Sequence, residues 1–193
     1  DVLELSRIEE GDRELELIAF RVFDAVEQAV RSVNLMARDR ELELKVIQGP
    51  DVPDVYMNRE SIERVAINLL TNAIKYTPAG RVLVGCRRRG GNVRIEVHDS
   101  GLGIPATQTR AIFREFHRLQ AGAKVARGLG LGLSIVERIA RVLGHSVELK
   151  SEPGRGSVFS VEMPVAAPVS GAVPQRSPMR TDPAQLAGMT VLC

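Results

Sequence analysis

The sequence predicts a mixed α/β (α+β) fold with about five strands and about three helices. Several segments repeat apolar residues at helical spacing, and others have the pattern of short strands bounded by Gly or Pro turns. The chain has 193 residues, of which 44% are hydrophobic but only 4% aromatic. That length allows one domain of ordinary size, and we expect a core made mainly of Leu, Ile, Val and Ala.

The first half of the chain is predicted to form two helices with a strand between them. The helix over 21–39 has one apolar face, formed by Val22, Ala25, Val26, Ala29, Val30, Val33 and Met36. Residues 41–48 alternate as a strand does, and Gly-Pro ends it. The helix over 59–76 has the most regular pattern, with apolar residues Ile62, Val65, Ala66, Leu69, Leu70, Ala73 and Ile74.

The second half is predicted to add four strands and two helices. The strands cover 81–87, 92–98, 146–151 and 157–163, and a Gly-Gly turn suited to a hairpin joins the first two. The helices are a short one over about 107–118 and a longer one over about 131–143.

The bulk composition excludes some classes of function. A net charge of +2 and a pI near 8.8 are too mild to indicate nucleic-acid binding. Cys86 and Cys193 form neither a metal-ligand spacing nor a disulfide framework, which favours a reducing cytoplasm. No apolar run approaches the length of a membrane span.

A polar stripe borders the apolar face of the predicted helix over 59–76. Asn68, Asn72 and Lys75 lie at i, i+4 and i+7, within about 60° of one another around a helix. Two amide oxygens and an ammonium group can hold a hydrated divalent cation and the phosphates that it bridges. The spacing is also typical of a polar helix edge that contacts only water, so both interpretations stay open.

A first glycine-rich loop, DSGLGI at 99–104, follows the predicted strand over 92–98. The carboxylate of Asp99 at the strand end can accept a hydrogen bond from an amino group while the glycine backbone approaches a flat ring. An ordinary Asp-Ser-Gly turn is the alternative. The two glycines and Ala106 also fit a GxGxxA dinucleotide fingerprint, but Pro105 interrupts it and no acidic residue lies about 20 residues further on.

A second glycine-rich loop, GLGLGL at 128–133, runs directly into the helix predicted over about 131–143. Free N–H groups and the helix dipole at such a start form an anion site. Lys124 and Arg127 add positive charge beside it. No GxxxxGK[ST] motif occurs, so the loop is not a P-loop, and a flexible linker is the alternative interpretation.

Five segments, taken in order, resemble the histidine-kinase branch of the Bergerat-fold ATPases over roughly 20–163. They are NLLTNAIKYT at 68–77 (N box), DSGLGI at 99–104 (first glycine box), IFREFHRL at 112–119 (F box), GLGLGL at 128–133 (second glycine box) and GRGSVF at 154–159 (closing strand motif). The resemblance implies a two-layer sandwich, in which about three helices cover one face of a mixed sheet of about five strands. Phe113 and Phe116 would be apolar anchors beside a lid, or plain core residues.

The resemblance also implies ATP and Mg²⁺ as ligands and a role for each matching residue. Asn72 would ligate Mg²⁺ with support from Asn68, and Lys75 would contact phosphate. Asp99 would bind the adenine amino group. The other residues that would contact the nucleotide or shape its pocket and lid are Tyr76, Gly101, Gly103, Ile104, Lys124, Arg127, Gly128, Leu129, Gly130, Leu131, Gly132, Leu133 and Ser157.

None of the three histidines matches the family's phosphoacceptor motif, in which an acidic residue follows the histidine near a helix start. His98 precedes Asp99 at a strand end, and His117 and His145 lack the acidic neighbour. We therefore interpret all three as structural or surface residues and expect the acceptor histidine before Asp1 in the parent protein.

Asn68 bears on the type of reaction, because the hydrolytic relatives of this fold carry Glu at the matching position. A carboxylate can take a proton from attacking water, whereas an amide does not, and an imidazole needs little deprotonation at neutral pH. The favoured function is phosphoryl transfer from Mg·ATP to a histidine. The alternatives are an ATPase whose hydrolysis drives a conformational change and a non-catalytic nucleotide-binding scaffold.

The resemblance and a shift in composition divide the chain into four parts. They are the end of a dimerisation helix (1–11), the catalytic domain (12–163), a Pro/Ala-rich linker (164–187) and the start of a receiver domain (188–193). The implied partners are the dimerisation domain with its phosphoacceptor and a receiver domain or response regulator. We expect a homodimeric parent and a monomeric fragment in the cytoplasm, without nucleic acid or direct membrane contact.

Overall fold

The computed structural model describes residues 16–116 and 130–165, which form two layers. The strands are β1 (Ile18–Arg21), β2 (Glu43–Gln48), β3 (Asp54–Met57), β4 (Arg81–Arg89), β5 (Asn92–Asp99), β6 (Ser146–Glu152) and β7 (Gly156–Pro164). The helices are α1 (Val22–Arg38), α2 (Arg59–Tyr76) and α3 (Gly132–Val142). The predicted α/β sandwich of five strands and three helices is confirmed.

One mixed sheet of five strands, in the order β2-β4-β5-β7-β6, supports the helices. Only β2 and β4 pair in parallel, and the other three pairs are antiparallel. On β5, Val93, Ile95 and Val97 are fully buried, and they share one face because side chains alternate along a strand. Asp99 ends that row, opposite Ser157 of β7. The sheet therefore places one carboxylate at the end of its central strand.

Helix α2 has the bounds that its sequence pattern predicts. It begins after Asn58, whose side-chain oxygen accepts the N–H of Ser61 at 2.8 Å as an N-cap. It ends at Thr77, which adopts an extended backbone conformation. The hydroxyl of Thr77 donates a hydrogen bond to the carbonyl of Ala73 at 2.7 Å. All seven predicted apolar residues, together with Ser61, are buried, so this helix packs along its whole length.

Helices α1 and α3 flank α2 and complete the helical layer. Most of the predicted apolar face of α1 is buried. Met36 is an exception, because it lies at the border of that face and is 36% exposed. Helix α3 is followed by Gly144 with a positive φ of 69°, which is the conformation that ends helices at glycine.

The prediction of a short helix over 107–118 is wrong for the part of that range that the structure describes. Two 3₁₀ turns, Ala106–Gln108 and Ala111–Phe113, take its place, and Arg114 is already extended. The hydroxyl of Thr109 donates to the carbonyl of Ala106 at 3.0 Å, a local bond that competes with regular helix. Of the apolar residues here, only Ile112 and Phe113 pack inward, so there is no helical face to bury.

The two-stranded sheet of β1 and β3 has no counterpart in the sequence-based prediction. Each strand has four residues, which is too short for a clear period. The pairing joins Phe20 to Val55, residues that are far apart in the chain, and buries both against the core. Long-range burial rather than local pattern therefore produces these strands.

None of the helices within 16–116 and 130–165 is both long enough and apolar enough to cross a bilayer.

We expect Leu70→Ala to destabilise the domain strongly. Leu70 is fully buried in the core under α2, and removing such a side chain costs about 2–5 kcal/mol. Leu35→Ala is the control, since Leu35 is 71% exposed on α1 and a surface change of this kind stays within about 0.5 kcal/mol. Urea unfolding followed by far-UV circular dichroism measures both. Similar losses in the two variants would contradict the assigned core.

Candidate functional site

The polar stripe of α2 lies at the edge of the helical layer, beside the buried face. Asn68, Asn72, Lys75 and Tyr76 are all half-buried there. The amide nitrogen of Asn68 donates to the carbonyl of Arg64 one turn earlier, at 2.9 Å. This bond directs the amide group of Asn68 along the helix and leaves its oxygen to face the neighbouring element.

That neighbouring element is the start of α3, where the second glycine box ends. A Cβ atom placed on Gly132 would lie 3.2 Å from Oδ1 of Asn68 and 3.3 Å from Nδ2 of Asn72. Gly132 is the first residue of α3, and no side chain caps that helix end. The free N–H groups and positive dipole end of a helix start thus lie directly beside two amides of the N box.

The first glycine box lies at the other end of the stripe, against the C-terminus of α2. The N–H of Leu102 donates to the carbonyl of Tyr76 at 3.1 Å. A Cβ atom on Gly101 would overlap that same carbonyl oxygen and would come within 2.9 Å of Oγ1 of Thr77. Only glycine allows so close an approach, and the loop therefore follows the end of α2 closely.

Asp99 lies between this loop and β7 with a partly desolvated carboxyl group. Its Oδ1 accepts the N–H of Gly101 at 2.9 Å and the N–H of Ser157 at 3.2 Å. Burial raises the pKa of Asp99, and the hydrogen bonds from Gly101 and from the backbone and hydroxyl of Ser157 oppose that rise without cancelling it. Since both backbone donors contact Oδ1, Oδ2 can accept a further donor.

Two residues that the sequence analysis did not predict also hold this region together. Oγ of Ser151 accepts the N–H of Ile104 at 2.7 Å and lies 3.0 Å from Oγ of Ser157. Nη1 of Arg40 donates to the carbonyl of Lys75 at 3.2 Å, at the C-terminal end of α2. Serine and arginine in these positions carry no motif of their own, so only the packing of distant segments reveals them.

The second glycine box is described only in part. Gly130, Leu131, Gly132 and Leu133 are half-buried at the start of α3, and Leu133 packs against the core. The predicted site residues Lys124, Arg127, Gly128 and Leu129 lie outside the described residues.

The two phenylalanines of the F box have different environments. Phe113 meets Phe159 of β7 edge to face, with ring centroids 6.4 Å apart, as a packing residue does. Phe116 is 68% exposed and has a positive φ of 59°. The interpretation of Phe116 as a core residue is therefore wrong.

The described histidines behave as structural or surface residues. His98 is half-buried, and its Nε2 lies 3.6 Å from a carboxylate oxygen of Glu96. Both ring nitrogens of His145 are buried without a hydrogen-bond partner, and this burial lowers the pKa of His145. His117 lies outside the described residues.

The arrangement has two chemically distinct ends joined by α2. One end presents an acceptor carboxylate beside a tight glycine loop, which suits a ring with an amino group. The other presents two amides at a helix start, which suits phosphate and its cation. Thr77 and Asn68 are nine residues apart, or about 14 Å along a helix, a span comparable with an extended nucleoside triphosphate.

Comparison with known proteins identifies the family. The model of the histidine kinase-, DNA gyrase B- and HSP90-like ATPases matches residues 57–167, so the chain belongs to that family. Drug sensory protein A of Synechocystis sp. is 34% identical over 176 residues, which are 86% of this chain and 26% of that protein. The chain therefore spans about a quarter of the length of this curated relative.

Two solved structures share the fold. Full-length ShkA in complex with AMPPNP matches with a TM-score of 0.75 and 28% identity, over 86% of this chain and 35% of that one. The catalytic domain of the histidine kinase ThkA matches with a TM-score of 0.67 and 26% identity, over 77% of this chain and 97% of that one. The common part is thus nearly the whole of a histidine kinase catalytic domain.

We expect Asp99→Asn to stabilise the domain increasingly as the pH rises. The folded pKa of Asp99 lies above its ordinary value of 3.8, so its protonated form favours folding. The stability that it contributes is present below the unfolded pKa and is lost as pH rises through the folded pKa. Asparagine keeps the Oδ1 acceptor without this titration.

Urea unfolding of the wild type and of Asp99→Asn between about pH 4 and pH 7 measures this effect. The free energy of unfolding of the variant, relative to the wild type, should increase across that range. A difference that is independent of pH would show that Asp99 is not desolvated.

Proposed function

We propose that this domain binds Mg·ATP and transfers the γ-phosphoryl group to a histidine in the dimerisation domain of the same sensor kinase. The observation that carries the proposal is the position of α2 between two sites. Its C-terminal end contacts the loop that holds Asp99, and its polar stripe meets the start of α3 at Gly132. One nucleotide lying along the helix edge would contact both ends.

At the base end, Asp99 would accept a hydrogen bond from the amino group of adenine. Its half-buried carboxylate has Oδ1 occupied by the backbone N–H groups of Gly101 and Ser157, which holds the group in one orientation. The hydroxyl and backbone of Ser157, the Gly101–Gly103 loop, Ile104 and Tyr76 would surround the ring. A flat ring fits here because the loop carries little side-chain bulk.

At the phosphate end, Asn72 and Asn68 would support Mg²⁺ and Lys75 would contact phosphate. The amide oxygens of both asparagines approach the same point beside Gly132, and amide oxygen is a hard ligand that suits this cation. Mg²⁺ usually keeps several waters and shares phosphate oxygens, so a few amide ligands fit its chemistry. The N–H groups at the start of α3 would face the phosphates, and Gly128–Leu133, with Lys124 and Arg127, would form the lid.

The transfer step requires positioning more than proton chemistry. The imidazole nitrogen of the acceptor histidine would form a bond to the γ-phosphorus while the bond to the bridging oxygen breaks and ADP leaves. Mg²⁺, when bound, would neutralise charge on the phosphates. The residues of this chain would hold the γ-phosphoryl group in line and exclude water.

The amide of Asn68 disfavours the competing hydrolytic function. Its nitrogen is used by the carbonyl of Arg64, and neither amide atom can act as a base towards water. We therefore infer that ATP persists in the site until a histidine reaches it, rather than being hydrolysed.

The proposed function also implies a domain arrangement for the parent kinase. Residues 12–163 would form the catalytic domain, between the end of a dimerisation helix at 1–11 and a linker at 164–187 that leads to a receiver domain from 188. The partners would be the dimerisation domain and a receiver domain or response regulator, within a homodimeric cytoplasmic kinase region.

Binding of Mg·ATP should depend on the two ends of the site in different ways. Asp99→Asn replaces an acceptor by a donor towards the adenine amino group, so we expect affinity to fall at least about 10-fold with or without Mg²⁺. Asn72→Ala should remove mainly the part of the affinity that depends on Mg²⁺. Isothermal titration calorimetry with ATP, in Mg²⁺ and in EDTA, measures both.

Asn92→Ala is the amide control for this titration, because Asn92 lies at the opposite end of β5 from Asp99. Its affinity should equal that of the wild type. Unchanged affinity in both site variants would refute the assignment of the site.

Phosphotransfer should require a histidine from outside this chain. With [γ-³²P]ATP, we expect the chain alone to hydrolyse ATP slowly and to remain unlabelled. Adding a helical-hairpin fragment of the parent kinase that carries the phosphoacceptor should give a labelled hairpin, and a hairpin with that histidine changed to alanine should stay unlabelled. Rapid hydrolysis by the chain alone would favour an ATPase instead.

A further inference from the structure

We propose that Ser151 is a positioning residue that orients Asp99 for recognition of the 6-amino group of adenine. This inference rests on the nucleotide site proposed above. Ser151 lies on β6, directly opposite Ser157 of β7, and it belongs to none of the five sequence motifs.

The hydroxyl of Ser151 joins the first glycine box to the strand that carries Ser157. Its oxygen accepts the N–H of Ile104 at 2.7 Å. Its hydrogen has two acceptors, Oγ of Ser157 and the carbonyl of Gly156, each at 3.0 Å. The first glycine box and both strands of the β6–β7 hairpin therefore meet at one side-chain oxygen.

The hydrogen bonds run in one direction, towards Asp99. A backbone N–H only donates and an ionised carboxylate only accepts, whereas a serine hydroxyl does both. The hydroxyl of Ser151 donates to the carbonyl of Gly156, and the N–H of the same peptide group, that of Ser157, donates to Oδ1 of Asp99. The chain thus passes from the N–H of Ile104 through the hydroxyl of Ser151 and the Gly156–Ser157 peptide group to the carboxylate, and each bond polarises the next.

This direction bears on the choice of base. The two backbone donors to Oδ1 hold Asp99 as an oriented acceptor. An adenine 6-amino group donates to such an acceptor, whereas a purine without a substituent at position 6 offers no donor there. Without the hydroxyl of Ser151, the carbonyl of Gly156 loses this donor, and the Gly156–Ser157 peptide group holds Asp99 less firmly through its N–H. We therefore expect Ser151 to matter for the 6-amino group and not for the rest of the nucleotide.

The test compares two nucleotides on Ser151→Ala. The first is Mg·ATP, and the second is Mg·purine riboside 5′-triphosphate, which has the same ring and phosphates but hydrogen at position 6. We expect affinity for ATP to fall about 3–10-fold, the usual effect of one lost hydrogen bond, and affinity for the analogue to stay unchanged. The ratio of the two dissociation constants is the readout, because a general loosening of the loop would weaken both nucleotides alike.

Three further variants sharpen the test. Ser151→Thr keeps the hydroxyl and should restore the ratio of the wild type. Ser151→Cys keeps the side-chain size but bonds weakly, so it should repeat the selective loss even if Ser151→Ala folds poorly. Ser160→Ala is the matched control, since Ser160 is a buried serine of the adjoining strand whose neighbours across the sheet are Glu96 and Glu148.

The outcomes are distinguishable. A selective loss for ATP in both the Ala and Cys variants, with rescue by Thr, supports the proposal. An equal loss for both nucleotides, or no loss for either, overturns it while leaving the nucleotide site intact. A wild-type protein that binds neither nucleotide overturns the proposed function, and this inference with it.

Discussion

The docking of α2 on the sheet is the constraint on which the rest of the site depends. Eight of its residues are buried along one face, and a rotation of the helix would expose several of them to water at a cost of about 1.5–3 kcal/mol each. The rotational setting of the helix is therefore fixed by its apolar residues. The stripe of Asn68, Asn72 and Lys75 is held at the edge of the layer as a consequence, where it meets Gly132.

The charge of the buried Arg94 and that of the half-buried Asp99 are compensated to different degrees. On the face of the sheet away from the helices, Arg94 is buried with Glu148 at 2.7 Å and Glu162 as partners. Hydrogen bonds from Arg89 and Arg94 lower the pKa of Glu162 despite the effect of burial, so this pairing stabilises its charges. Asp99 has two backbone donors, yet desolvation raises its pKa. A carboxylate that is incompletely compensated in the folded protein is what a ligand with a donor group can satisfy.

Much of the fold could be predicted because α2, α1 and the β4–β5 hairpin carry strong local patterns. The errors have identifiable physical causes. Residues 106–116 bury only Ile112 and half-bury Phe113, so 3₁₀ turns replace the predicted helix. Strands β1 and β3 form because they pair with each other across a long stretch of chain and bury their few apolar residues in the core. Such a pairing produces no periodic pattern in the local sequence.

The sequence by itself determined which residues are proposed to carry chemistry, since glycines, asparagines and an aspartate at fixed spacings are local features of the chain. It also determined the buried face of α2, because helical periodicity is local. Only the tertiary structure decided how these pieces meet: Gly132 against Asn68 and Asn72, Gly101 against the end of α2, and Asp99 within reach of Ser157 and, through it, Ser151. The physical reason is that most of these contacts join segments more than twenty residues apart, and their distances depend on how helix and sheet layers pack rather than on any spacing along the chain.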